Sequence, residues 1–152
     1  MATSETRSVR RSPIIQFSVF SENKVGILSE IIGLLAGDQV HVMALSTVDT
    51  IDSSILRVVV DDPDRARALF AAKGLACNES EVLGVEMATE ADLGKVLSAL
   101  LEAELNIHYL YPFVSRPRGR CGIVLHLEDQ ELAADALSLR GIRVIDQRDI
   151  SR

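Results

Sequence analysis

Residues 21–26, Ser-Glu-Asn-Lys-Val-Gly, are the stretch whose types and spacing best suit a chemical task. They lead into apolar residues at Val25, Leu28, Ile31, Ile32 and Leu35, the spacing of one helical face. The loop therefore opens onto a helix N-terminus, where unpaired N–H groups and the helix dipole favour an anion. A small carboxylate suits that position. Gly26 lets a ligand approach the backbone closely. Asn23 offers both a donor and an acceptor, as a zwitterion requires. The same two residues are also ordinary turn formers.

Other chemistries find less support. Cys77 and Cys121 form no C-x-x-C pair, so they are expected as reduced thiols in strands. His41, His108 and His126 sit at no metal-ligand spacing and are expected at surface or seam positions. No nucleophile–base pair, phosphate-binding Gly loop or close carboxylate dyad stands out, and Ser21 with Glu22 reads as a turn. Neither catalysis nor a cofactor is expected. The net charge of -6 argues against nucleic acid as a partner, since phosphate binding relies on Lys and Arg. No stretch approaches the ~18 apolar residues of a membrane span. At 47% apolar and 25% charged residues the composition is that of a globular chain. Residues 1–13 carry Arg7, Arg10 and Arg11 without an apolar run, which reads as a mobile polar tail and not a secretory signal. A cytoplasmic protein is expected.

The elements that must position the loop occur twice. Segment 14–20 alternates Ile15, Phe17 and Val19 against Gln16 and Ser18, a half-buried strand. A helix closed by Gly37-Asp38 follows, then strands over 40–49 and 55–61. A helix opens at Asp62-Pro63-Asp64 with Ala66, Leu69 and Phe70 inward and stops at Gly74, and a strand covers 75–80. The second half repeats this order. It has a strand over 81–87, a helix with Leu93, Val96, Leu97, Leu100 and Leu101, strands over 105–114 and 120–127, a helix over 129–140 with Leu132, Ala136 and Leu137 inward, and a strand over 142–148. Val40-His41-Val42 falls on Leu105-Asn106-Ile107, and Gly74-Leu75 on Gly141-Ile142. Such repetition means two copies of one small fold. A βαββαβ unit folds as four antiparallel strands with both helices on one face. Tyr109, Tyr111 and Phe113 share one strand face and suit core, interface or pocket packing. Pro112 lacks an N–H, which fits an edge strand and limits pairing there. Arg116, Arg118 and Arg120 read as a solvated hairpin.

ENKVGILSEIIGLL, VHVMALSTVDT and ILRVVVDDPDRA in the first half resemble the ACT domain. EVLGVEM and LLEAELNIHYLYPFVS in the second half resemble it again. The resemblance covers roughly residues 14–150 and is closest to small prokaryotic proteins made only of two ACT domains. It implies an α+β fold of two ferredoxin-like βαββαβ domains, 14–80 and 81–150, with antiparallel sheets side by side and helices on one face. It also implies regulation: a free amino acid held at the seam between domains, with a metabolic enzyme or transporter as the regulated partner. Exposed sheet edges, which invite pairing, make a homodimer a further option. One wall of that seam is the loop before the first helix of one domain, the other the start of the second strand of its neighbour.

Carried onto this chain, the resemblance gives Ser21, Asn23, Lys24, Val25, Gly26, Ile27 and Leu28 from the first loop. It gives Leu105, Asn106 and Ile107 from the second strand of the second domain. The loop Asn23-Lys24-Val25-Gly26 has Val where the family commonly has Pro, and His41 replaces the family's strand Asn. In the second repeat Asn106-Ile107 is intact, but residues 88–92, Ala-Thr-Glu-Ala-Asp, lack Asn-x-x-Gly. Pairing loop one with strand two joins Asn23 to Asn106. The reverse pairing sets Glu90 and Asp92 against His41, and two carboxylates would repel a ligand carboxylate. One competent and one degenerate site are expected. Two alternatives stay open: an interaction module that presents sheet edges to a protein partner without a small ligand, and an enzyme, since the same fold hosts small hydrolases.

Overall fold

The computed structural model describes residues 11–22 and 26–151. Residues 1–10 of the expected tail, and Asn23, Lys24 and Val25 of the expected ligand loop, lie outside the described residues. The elements are β1 (Ile14–Glu22), α1 (Ile27–Gly37), β2 (Val42–Asp49), β3 (Ser53–Val60), α2 (Pro63–Ala72), β4 (Ala76–Met87) and α3 (Asp92–Glu102). There follow β5 (Ile107–Pro112), a 3-10 turn (Pro117–Gly119), β6 (Cys121–Leu127), α4 (Gln130–Leu139), β7 (Val144–Ile145) and α5 (Gln147–Ile150).

All strand pairs are antiparallel, and the order is β2-β3-β1-β4-β6-β5, with β7 also on β4. The expected strands over 75–80 and 81–87 are one continuous strand. Its Ala76–Val82 half pairs with β1, and its Leu83–Met87 half pairs with β6. Asn78-Glu79-Ser80-Glu81 contains neither Gly nor Pro, so nothing breaks the strand between the two units.

Each unit packs one sheet face on its own helices. Phe17, Val19, Leu56, Val58 and Val60 bury against Ile31, Leu35, Ala66 and Phe70. Leu83, Val85, Ile123 and Leu125 bury against Val96, Leu100, Ala133 and Leu137. Helix starts follow their caps: the Asp62 carboxylate accepts from Arg65 N–H at 3.1 Å, and Asp129 accepts from Leu132 N–H at 3.0 Å. Ile31, Leu35, Val96, Leu100 and Leu137 are buried as expected, but single positions on these three helix faces depart from expectation. Leu28, Leu97, Leu101 and Leu132 are exposed, while Ala99, Ala133 and Ala134 are buried in their stead. Small residues are what let the helices approach the sheet closely here, and a pattern weighted toward leucine overlooks them.

The strand expected over 142–148 is corrected to the two-residue β7 followed by α5. Asp146 accepts from Asp149 N–H at 3.2 Å and Asp149 accepts from Asp146 N–H at 2.9 Å, a reciprocal cap that starts a helical turn. Gln147 of that turn joins the units: Ile15 N–H donates to its Oε1 at 3.2 Å, and its Nε2 donates to Val60 O at 3.1 Å. Its own N–H donates to Ser12 O at 2.8 Å, so the last residues of the expected tail lie against the second unit.

The sheet curls, so the helix-free faces of the two units meet. Ile14, Ala44 and Val59 from the first unit bury against Val82, Tyr111, Phe113, Val124, Ile145 and Ile150 from the second. The edges β2 and β5 touch at one bridge, Ala44 with Phe113, just past Pro112. Val114 N–H donates to Met43 O at 2.7 Å there. Phe113 reaches this position because β6 has glycine beneath it: a Cβ on Gly122 would lie 2.8 Å from the Phe113 ring.

Candidate functional site

The first half of the expected site sits where β1 ends. Ser21 is half-buried on β1 opposite Ser54. Gly26 precedes α1 with φ 90, a left-handed conformation that glycine adopts without a Cβ penalty. Among the described residues no side chain caps α1. Ile27 packs into the first core, and Leu28 is exposed.

The second half sits where β5 begins. The strand starts at Ile107, so Leu105 and Asn106 precede it. Leu105 N–H donates to Leu100 O at 3.0 Å, and both Leu105 and Ile107 pack on the second core. Asn106 is exposed, with its backbone carbonyl accepting from Glu128 N–H at 3.4 Å. β5 runs antiparallel to β2, β2 to β3, and β3 to β1. The end of β1 and the start of β5 therefore lie toward one end of the sheet. Among the described residues no hydrogen bond or ion pair joins Gly26–Leu28 to Leu105–Ile107.

The mirror-image combination is already engaged by the chain's own acids. The Asp92 carboxylate accepts from Ala88 N–H at 2.8 Å and Thr89 N–H at 3.3 Å, with Lys95 Nζ at 3.5 Å. The hydrogen bonds from Ala88 and then Thr89 hold this carboxyl below its ordinary range. On the opposing strand, His41 N–H donates to Asp61 Oδ1 at 2.8 Å, and His41 Nδ1 lies 2.9 Å from Asp61 Oδ2. Asp61 itself is buried.

Asp92 gives a signed pH expectation. A carboxyl with a lowered folded pKa contributes stability above its unfolded value, near 3.8, and that contribution is lost as pH falls through the folded value. Asp92→Ala should lower the melting temperature at about pH 7 and leave it nearly unchanged at about pH 2.5. Equal shifts at both pH values would contradict the role given to this carboxylate.

Sequence reasoning missed a polar chain beneath the seam. Gln16 is fully buried; Tyr111 O–H donates to its Oε1 at 2.6 Å, and its Nε2 donates to Tyr109 Oη at 2.7 Å. Burial, and then Tyr109, push the Tyr111 phenol up. The Arg57 guanidinium lies 3.6 Å over the Tyr109 ring. The His126 ring stacks on Tyr109 with centroids 4.7 Å apart and planes 11° apart. Burial, then His108, then Arg57 push the His126 imidazole below its ordinary value. The alternation of Tyr109, Tyr111 and Phe113 announced the interface, but a strand Gln reads as solvent-facing and gave no signal. The Cys77 thiol, raised by burial to about 11, is protonated at neutral pH and poorly suited to nucleophilic work.

Two grooves lie away from these residues. The larger, about 980 Å³, runs between Arg11–Ile14, α4 and Asp146, and a smaller one of about 250 Å³ lies beside Glu30, Leu34 and Lys73. Among the described residues no three of His, Cys, Asp and Glu converge on a point that could hold a metal. No described helix is long and apolar enough to cross a membrane.

The chain is similar to known proteins over nearly its whole length. A solved Bacteroides thetaiotaomicron protein, BT0572, is 26% identical, with a TM-score of 0.83 over 93% of this chain and 98% of that one. The ligand-free regulatory subunit of aspartate kinase from Thermus thermophilus shares the fold at 16% identity and a TM-score of 0.59, over 84% of this chain and 91% of that one. The corresponding Thermus flavus subunit does so at 16% identity and 0.55, over 84% and 92%. No curated protein matches the chain in sequence. The family model described as an ACT domain pair, a regulatory module, matches residues 12–152. With two βαββαβ units joined through β4 and touching again at β2 and β5, the chain belongs to the ACT domain pair family.

Proposed function

We infer that this ACT domain pair is a sensor of one free amino acid, without catalytic activity of its own. The ligand sits between the loop before α1 and the start of β5. Ser21, Asn23, Lys24, Val25, Gly26, Ile27 and Leu28 supply one wall, and Leu105, Asn106 and Ile107 the other. The uncapped N-terminus of α1 receives the α-carboxylate, and Asn23 and Asn106 supply donors and acceptors for the rest of the zwitterion. The observation that carries this reading is the asymmetry of the two loops. Neither α1 nor α3 has a side-chain N-cap among the described residues, but in the second loop the Asp92 carboxylate occupies the Ala88 and Thr89 N–H donors, and Gly26 of the first loop brings no such group. Ile27 belongs to the first core and Ile107 to the second, so a ligand bound between them would bias how the units sit together. A metabolic enzyme or transporter in the cytoplasm is the partner this signal would reach, with a homodimer as the signalling unit.

A thermal-melt screen of the whole chain against the twenty amino acids at millimolar concentration tests the reading. A ligand at ~100 times its dissociation constant adds ~2.7 kcal/mol. That corresponds to about 5–10 °C for a chain of this size. A rise for one or two related amino acids, lost in Asn23→Ala and in Asn106→Ala, is the expected result. A flat screen would instead favour a module that presents its sheet edges to a protein partner.

A further inference from the structure

We propose that His108 and His126 form a two-imidazole chelate for a divalent transition ion of the nickel(II) and copper(II) class, on the rim of the seam between the two units. The residues are 18 apart in sequence, a spacing that carries no metal signal. The sheet brings them together. β5 and β6 are antiparallel, and the register shifts between Ile107 and Tyr109, where Tyr109 pairs with His126. Carried on by one residue, the Ile107–Leu127 pairing already faces His108 with His126, and the shift sets Tyr109 opposite His126 as well; the two Nδ1 atoms lie at hydrogen-bond distance, 3.0 Å, with ring centroids 5.1 Å apart.

The two nitrogens lie at hydrogen-bond distance, and the same separation suits an ion shared by both rings. With metal–nitrogen bonds of about 2.0–2.1 Å, a 3.0 Å separation subtends about 94° at the metal, close to the cis angle of square-planar or octahedral coordination. A tetrahedral zinc would need the nitrogens about 3.4 Å apart. Only one proton fits between two Nδ1 atoms, so a neutral pair keeps a lone pair there, and neutral imidazole is the ligating form. The His126 ring is pre-positioned by stacking on Tyr109, whose hydroxyl is anchored by Gln16 at 2.7 Å. His108 is exposed and gives an entering ion access.

Two protein ligands leave the remaining coordination positions to water. Arg57 packs on Tyr109, so its cation opposes an ion at the pair and moderates the affinity. An ion bound here would clamp β5 to β6 at Tyr109, the residue that also carries Arg57 of the first unit.

The test is calorimetric titration of the full chain, free of any affinity tag, with nickel chloride in a non-chelating buffer at about pH 7.5. One ion per chain is expected. His108→Ala and His126→Gln should each weaken binding by about tenfold or more, and His41→Ala should leave it unchanged. Lowering the pH to about 5.5 should weaken it by a similar factor, because protons compete for the imidazoles. His108 is exposed, so His108→Ala keeps the test valid should the other variant unfold. Nickel binding that survives His108→Ala, or no binding at all, would overturn the site. Zinc binding more tightly than nickel would overturn the assigned geometry.

Discussion

Phe17→Ala is expected to lower the unfolding free energy by about 3–5 kcal/mol, the range for truncating a buried aromatic ring. Phe17 is fully buried between β1 and the helices of the first unit. Its ring meets Phe70 edge-on with centroids 5.4 Å apart, so the substitution removes an aromatic pair as well as apolar area. Gln16 and Ser18 flank it and cannot turn inward to fill the space, because alternation fixes their side chains on the other face. Urea unfolding reads the loss directly. In a melt it corresponds to about 6–20 °C. A change below about 1 kcal/mol would mean that the first core is not organised around this ring.

Tyr111→Phe is expected to cost about 1–3 kcal/mol, out of proportion to one hydroxyl. The hydroxyl donates at 2.6 Å to Gln16 Oε1, and Gln16 is sealed between the two units. Its removal strands a buried acceptor. Gln16→Leu alone strands the buried Tyr111 hydroxyl instead. The double variant replaces both ends with apolar groups, and Tyr109, which is only half-buried, can turn its hydroxyl to water. The double variant should therefore be markedly less destabilised than the sum of the singles. Simple additivity, measured by urea unfolding of all four proteins, would remove this bond from the seam.

The fold was legible where local chemistry agrees with periodicity. Ile15, Phe17 and Val19 alternate as a half-buried strand should, and Asp62-Pro63 opens a helix as its cap chemistry requires. Gly74 and Gly141, matched by the repeat, both end helices at positive φ, 66 and 74. What was illegible depends on neighbours distant in sequence. The units share one strand through β4, and nothing in residues 78–81 says whether a chain pauses there or continues. Gln16 is buried only because β5 crosses the sheet above it. His108 and His126 meet only because β5 pairs with β6.

The site was legible to a different degree. The loop before α1 and Asn106 are candidates drawn from residue type, the repeat and the family resemblance. The second loop shows what each level adds. Sequence places two acids there, and the structure adds that one of them, Asp92, is bonded to the backbone of its own loop.

The central claim is a single amino-acid site at the loop before α1 and the start of β5. It is tested most directly by crystals of the full chain soaked with the amino acid that raises the melting temperature most. The account predicts one ligand per chain, with its carboxylate at the N-terminus of α1 and its remaining polar groups on Asn23 and Asn106. Ligand at full occupancy beside His41 and Asp92, or a first loop left empty, would contradict it.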